Sequence, residues 1–158
     1  MIADENKILW YEDDEMQICF NCIPKVKERF ITPYHTAEEA EEIKKKPYKN
    51  LKDLDVYIWD ENTEQAYTFT IPKGYTYDGA SIPRLFWRLV GANTDNTFMI
   101  AAICHDWTCE HHECVGYNRY LSTMIFNNLL KVGGVNPFKR WLIKHSVDNF
   151  QKFCGWEK

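Results

Sequence analysis

The chain has 158 residues, of which 45% are hydrophobic and 15% aromatic, a size and composition typical of one domain with its own core. Its net charge of -4 and pI near 5.7 give no basic surface for sequence-independent binding to nucleic acid. The first residues lack the features of a secretion signal, and no apolar run approaches the roughly 20 residues that span a bilayer. We therefore expect a soluble single domain over residues 1–158, made in a cytoplasm, with free thiols.

Within the N-terminal segment of residues 1–55, residues 7–34 alternate only loosely between apolar and polar side chains. This pattern predicts one or two short edge strands. The segment HTAEEAEEIKKKP predicts a surface helix, because Thr36 and Glu39 form a capping box and Pro47 ends the helix. We expect its charges to face solvent and to pair only with one another, four residues apart: Glu41 with Lys45 and Glu42 with Lys46.

The segment DVYIWDENTEQAYTFTIPKGYTYDG, residues 55–79, has two runs of β-branched and aromatic residues on either side of the polar stretch DENTEQ. It predicts a β hairpin and then a turn at Pro72-Lys73-Gly74. From Ser81 the pattern becomes helical, since Ser81 can cap a helix that has Pro83 in its first turn and ends near Gly91.

Three further helices are predicted in the second half. The run FMIAAICHDW, residues 98–107, is apolar on all sides, as is typical of a helix through the core. A helix from about Asn118 to Gly133 and another from about Asn136 carry apolar residues at helical spacing. The predicted fold class is α+β: a β hairpin or small antiparallel sheet packed on about four helices, with a buried central His-Asp helix in a core of residues 56–156.

His105 and Asp106 stand side by side on the predicted core helix, where an imidazole and a carboxylate need partners. If this helix is antiparallel to the next, His105 lies opposite residues 122–123, and the turn that precedes the Ser81 helix closes the same pocket. A histidine with carboxylates around it is suited to activating water. The candidate catalytic centre draws on three segments: Asp78, Ser81, His105, Asp106 and Arg119. The alternative is a structural His-Asp pair, bonded to a backbone carbonyl and to a neighbouring Arg or Tyr.

Two other hypotheses concern side chains around this centre. In one, Ser81 is a nucleophile with His105 as its base, although no G-x-S-x-G elbow surrounds Ser81 and helix capping also explains this serine. In the other, aromatic side chains line a binding groove, although packing in the core explains these side chains equally well. They are Tyr75, Tyr77, Phe86 and Trp87.

The stretch CEHHEC, residues 109–114, is rich in side chains that bind zinc. The hypothetical ligands are Cys109, His111, His112 and Cys114, with Cys19 and Cys22 as a distant half-site. The spacing is not that of a recognised zinc finger, and the apolar stretch ICFNCIP suits packed thiols. The competing prediction is that residues 103–107 form the buried helix face that carries the His-Asp pair, whereas residues 109–114 form a polar helix end and loop.

Three segments carry a family resemblance: IPKGYTYDGASIPRLFWRLVG, AAICHDW and NRYLSTMIFNNLLKVGGV. Together they resemble the phage- and prophage-associated domain-of-unknown-function family 1353, over about residues 56–156. The positions that fit the family pattern are Gly74, Asp78, Ser81, Pro83, His105, Asp106, Arg119 and Phe126. The resemblance implies a phage origin and no established biochemical role.

The chain departs from that pattern at Thr123, where the family has a carboxylate. The His-Asp helix is also distantly similar to that of secreted phospholipases that cleave the sn-2 ester, in which the histidine activates water and the aspartate binds calcium. This similarity implies His105 as general base and Asp106, with Asp78, as calcium ligands. The glycine-rich calcium loop of those enzymes is not evident in this chain.

Two classes of function follow from these observations. In the first, which Thr123 slightly favours, the protein is a non-catalytic virion component or host-directed binder, located in the host cytoplasm or the virion, and the His-Asp pair is structural. In the second, it is a small hydrolase of a lipid ester or cell-envelope bond, with His105 as general base and calcium or zinc as a candidate cofactor. If His105 is sealed in the core with both ring nitrogens bonded to protein, the second class fails.

Overall fold

The computed structural model describes residues 6–77, 96–153 and 155–156, which form two antiparallel sheets and four helices. The larger sheet has the strand order β1 (Ile8–Glu12), β2 (Met16–Phe20), β5 (Leu54–Asp60) and β6 (Gln65–Ile71). The smaller sheet has the order β3 (Val26–Glu28), β4 (Tyr48–Asn50) and β7 (Thr76–Tyr77). The helices are α1 (Ala37–Lys45), α2 (Asn96–Glu110), α3 (Arg119–Val132) and α4 (Pro137–Phe153). The predicted α+β class is confirmed.

The predicted hairpin is formed by β5 and β6, in register from Leu54 opposite Ile71 to Asp60 opposite Gln65. Alternate residues of β5 are buried, as the period-2 pattern predicts for a strand with one face on the core. The Asp60 carboxylate holds the connecting turn, because it accepts hydrogen bonds from the Asn62 amide at 3.0 Å and the Thr63 hydroxyl at 2.7 Å.

Strand β2 lies inside the larger sheet, whereas β1 and β3 lie at sheet edges, as predicted for strands of the N-terminal segment. It pairs with β1 on one side and β5 on the other, and all five of its residues are buried. Gln17 and Cys19 are covered on one face just as Met16, Ile18 and Phe20 are covered on the other. A strand buried on both faces loses the clean alternation that would have identified it.

The predicted surface helix is confirmed as α1, with its capping box, but its charges have partners that were not predicted. The Arg29 guanidinium, just after β3, donates to both carboxylate oxygens of Glu42, at 3.0 and 2.8 Å. Lys46 lies 3.6 Å from Glu110 at the end of α2. The expectation of a charge run without outside partners is therefore wrong, because the sequence does not show which elements pack beside α1.

The turn after β6 is fixed by Asn50, which is buried at the end of β4. Its side-chain amide donates to the carbonyls of Ile71 and Pro72, both at 3.1 Å. Its backbone pairs with the Gly74 amide at 2.9 Å and the Tyr75 carbonyl at 2.8 Å. Gly74 has φ +91, a conformation that glycine adopts without a side-chain clash. These bonds direct β7 away from the hairpin and into the smaller sheet.

Helix α2 runs through the core, as its apolar composition predicts: every residue from Met99 to Asp106 is buried. Helix α3 packs beside α2, and α4 packs beside α3. Both begin where predicted, with the side chains of Asn118 and Asn136 capping backbone amides of the first turn. The helix predicted from Ser81 lies outside the described residues. In the part of the chain that the structure describes, no helix has the length and apolar character needed to cross a membrane.

Candidate functional site

The His105 imidazole is enclosed by its own helix and by α3. The residue is 3% exposed. Its Nδ1 lies 3.6 Å from Asp106 Oδ1, and its Nε2 lies 3.5 Å from Cys109 Sγ, one helical turn further on. The ring packs against Phe126 of α3 with 5.1 Å between centroids. Both nitrogens therefore face protein atoms.

A small gap between α2, α3 and β6 adjoins the imidazole. It is too narrow to hold a water molecule, and its lining residues are Phe69, Cys104, His105, Thr108, Tyr117, Ser122, Ile125 and Phe126. Ser122 of α3 lines this gap, which places it at the level of His105 as the antiparallel register predicts. The Thr108 hydroxyl donates to the backbone, with the carbonyls of Cys104 and His105 at 2.9 and 3.1 Å.

The groups around the gap are desolvated. Burial raises the pKa of the Cys104 thiol to about 12 and raises the pKa of the Tyr117 hydroxyl well above its ordinary value. Cys104 is therefore a protonated thiol near neutral pH and lacks the thiolate that makes cysteine nucleophilic.

Tyr77, which was proposed for a binding groove, packs in the core and is 1% exposed. It stacks on Tyr75 with 6.0 Å between ring centroids, and Tyr75 in turn meets Trp107 edge-on at 5.1 Å. Burial first, and the nearby Asp106 charge second, raise the pKa of the Tyr77 hydroxyl. Tyr75 is half-buried at the edge of this aromatic cluster.

The structure gives Arg119 a partner that the sequence did not suggest. Its guanidinium Nη1 lies 2.5 Å from Asp148 Oδ1 of α4. The Thr123 hydroxyl, one turn after Arg119, is 3.3 Å from the same carboxylate oxygen. A carboxylate thus approaches position 123 from a neighbouring helix, although position 123 itself has none.

A buried polar network connects α3 and α4. Gln151, fully buried, donates from Nε2 to the Ser122 hydroxyl and accepts at Oε1 from the Thr123 hydroxyl, both at 3.1 Å. The sequence contained one signal for this network, since Gln151 stands four residues after the buried Val147 on the same helix face. Ser122 thus belongs both to the network and to the lining of the gap beside His105.

The cysteine- and histidine-rich end of α2 does not form a metal cluster in the described structure. The His111 ring stacks on Trp107 at 3.8 Å, whereas the His112 ring stacks towards Trp156 at 5.5 Å. Cys109 is buried beside His105, and Cys114 is exposed. Cys19 is buried in β2, and the Cys22 thiol lies 3.8 Å from a backbone carbonyl. Among residues 6–77, 96–153 and 155–156, no three His, Cys, Asp or Glu side chains are placed to hold one ion.

Several residues of the predicted centre lie outside the described residues. The structure brings His105 and Asp106 together on α2 and places Arg119 against α4. Asp78 and Ser81 of the centre, and with them Pro83, Phe86 and Trp87, lie outside the described residues. Three hypotheses therefore stay predictions: that Asp78 and Ser81 converge on this site, that Asp106 and Asp78 bind calcium, and that Ser81 is a nucleophile.

Comparison with known proteins identifies a family. The family model described as "Protein of unknown function (DUF1353)" matches residues 54–147. Over 40 residues, the chain is 40% identical to "Uncharacterized protein y4jT" of Sinorhizobium fredii (strain NBRC 101917 / NGR234). That match covers 25% of this chain and 12% of y4jT, so the chain spans a small part of the relative that it matches. No solved structure matches the chain.

Proposed function

Because the chain belongs to the DUF1353 family, whose description names no activity, we propose its function from its geometry: a non-catalytic binding protein in which the His105-Asp106 pair stabilises the fold. The observation that carries this proposal is the enclosure of the imidazole, with Asp106 beside Nδ1 and Cys109 beside Nε2. The resemblance to a phage-associated family supports the finer proposal of a virion component or a host-directed binder.

A general base needs a hydrogen-bond path to the proton that it removes, either directly or through one water molecule. His105 is 3% exposed, and the gap beside it is too narrow for water. A lipid ester or cell-wall bond would have to displace Cys109 or Phe126 to reach the ring. The hydrolase hypothesis therefore requires the protein atoms around the ring to move, whereas the structural hypothesis requires no such movement.

The buried polar neighbours of His105 also support a structural role. Buried polar groups stabilise a fold when each has a partner. Removing one partner lowers the stability, because the other group stays buried with a hydrogen bond missing. Asp106, Cys109 and Thr108 all lie within one turn of His105 and are buried. The imidazole is thus one of several buried polar groups on α2, and its ring packs against Phe126 of α3.

The test is turnover of a panel of phospholipids and cell-wall fragments by wild type and His105→Ala, each with added calcium and with chelator. His145→Ala is the matched control, because His145 is exposed on α4. We expect no turnover that depends on His105. Hydrolysis by wild type and by His145→Ala, lost in folded His105→Ala, would overturn the proposal and establish an enzyme.

A further inference from the structure

An open cleft lies between two turns of the larger sheet and α3, and neither His105 nor Asp106 lines it. It has a volume of about 250 Å³ and is bounded by the β1–β2 turn, the β5–β6 turn and the first turns of α3. We name it the hairpin–helix cleft. Its lining includes Glu15, Asp60, Tyr67, Tyr120 and Asn128. The volume lies just below the range of about 300–1,000 Å³ for small-molecule sites, so the cleft suits a small ligand or one unit of a larger ligand.

The inner end of the cleft has a buried amide with weak partners. Asn128 is 3% exposed. Its Nδ2 lies 3.4 Å from the thioether sulfur of Met16, a weak acceptor, and its Oδ1 is 3.4 Å from Asn127 Nδ2. An amide offers two donors and two acceptor sites, so Asn128 retains hydrogen-bonding capacity for a ligand in the cleft. Buried polar side chains in native proteins generally have strong partners.

The walls of the cleft combine aromatic rings with polar groups. Tyr120 is 66% exposed at the rim. Tyr67 is half-buried and is held edge-on by Tyr117, with 5.3 Å between ring centroids. Gly116 lies beside the Tyr67 ring and has φ +80, a conformation that favours glycine. Asn118 uses its Oδ1 to cap α3, which leaves its amide hydrogens to donate.

The charge of the cleft restricts the ligand. Its described lining includes the carboxylates of Glu15 and Asp60 but no lysine, arginine or histidine. The Asp60 carboxylate is engaged by the β5–β6 turn. An anionic ligand would lose its hydration without gaining a cation, so the lining selects against phosphates and acidic sugars.

We propose that the hairpin–helix cleft binds a neutral saccharide unit. A sugar ring has an apolar C–H face that stacks on an exposed aromatic ring, here Tyr120, while its hydroxyl groups pair with amide and carboxylate groups, here Asn118, Asn128 and Glu15. The inference rests on the proposed binding function and supplies its ligand class. It concerns a cleft that His105 does not line.

The experiment measures binding of three neutral tetrasaccharides by the full chain: the tetramer of N-acetylglucosamine, maltotetraose and cellotetraose. Titration calorimetry and saturation-transfer NMR report binding, and sialyllactose serves as the anionic comparison. We expect at least one neutral tetrasaccharide to bind and sialyllactose to bind at least about tenfold more weakly, which corresponds to about 1.4 kcal/mol. Failure of all three neutral sugars to bind at millimolar concentration would overturn the proposal.

Three variants locate the binding. Tyr120→Ala removes the stacking ring and should weaken binding at least about tenfold, whereas Tyr120→Phe should retain binding within about twofold. Tyr34→Ala is the matched control, because Tyr34 is 95% exposed and lies outside the cleft. Equal affinity of wild type and Tyr120→Ala would exclude this cleft as the site and overturn the proposal.

The same samples separate failure of this inference from failure of the proposed function. Release of new reducing ends is measured for wild type and His105→Ala with each sugar. Cleavage that depends on His105 would overturn the non-catalytic function, while the Tyr120 variants would still decide the cleft. Absence of both binding and cleavage would overturn only the saccharide inference.

Discussion

His105→Ala should destabilise the protein strongly if the imidazole is structural. The substitution removes the ring contact with Phe126, worth about 0.5–1.5 kcal/mol. It also removes the ring nitrogens beside Cys109 Sγ and Asp106 Oδ1, and the loss of a buried polar contact costs about 1–3 kcal/mol. Together these losses predict a decrease of about 2–4 kcal/mol in the free energy of unfolding.

Urea denaturation followed by circular dichroism measures this decrease. His105→Phe separates the two contributions, because it keeps a ring beside Phe126 but removes both nitrogens, and its loss should be smaller than that of His105→Ala. The exposed His145→Ala should remain within about 0.5 kcal/mol of wild type. A free energy of unfolding for His105→Ala equal to that of His145→Ala would refute the structural role of the imidazole.

Two further predictions concern buried polar groups. Gln151→Ala breaks both hydrogen bonds of the α3–α4 network and should lower the free energy of unfolding by about 2–4 kcal/mol. Urea denaturation measures this decrease, with the exposed Asn149→Ala as the control. Equal stability of the two variants would contradict a stabilising role of the network. The folded-state pKa of Cys104, about 12, lies above its ordinary value of 9.0, so the unfolded chain loses this proton first and the stability should fall as pH rises from about 9 through 12. In Cys104→Ala, the free energy of unfolding should decrease less steeply over the same pH range, as measured by denaturation curves at a series of pH values. An unchanged dependence of stability on pH would show that Cys104 does not contribute.

Local sequence signals identified most elements of the fold. The capping box of α1, the two runs of the β5–β6 hairpin and the asparagine caps of α3 and α4 are each contained in fewer than ten neighbouring residues. Such features depend on local geometry and hydrogen bonding, so they can be identified without knowledge of the rest of the chain. The apolar run of α2 likewise predicted a buried helix that carries His105 and Asp106.

The signals that failed depended on distant partners. Strand β2 showed no clean alternation because neighbouring elements cover both of its faces. Glu42 was expected to pair along α1, but Arg29 reaches it from β3. Asp148, whose carboxylate meets Arg119, is 29 residues from it in sequence. None of these relationships can be detected in a short window of sequence, because each depends on residues that are distant along the chain.

The sequence by itself determined the approximate positions of α1 to α4 and of the β5–β6 hairpin, and which helix carries the His-Asp pair, because capping, turn chemistry and apolar periodicity act over a few residues. Only the tertiary structure decided the surroundings of that pair. Whether an imidazole is open to water depends on how α2 and α3 pack, and this packing places Cys109 and Phe126 against the ring. Tertiary packing likewise brings Tyr67 of β6 to one cleft with Tyr120 and Asn128 of α3, since side-chain burial is a property of the packed chain as a whole.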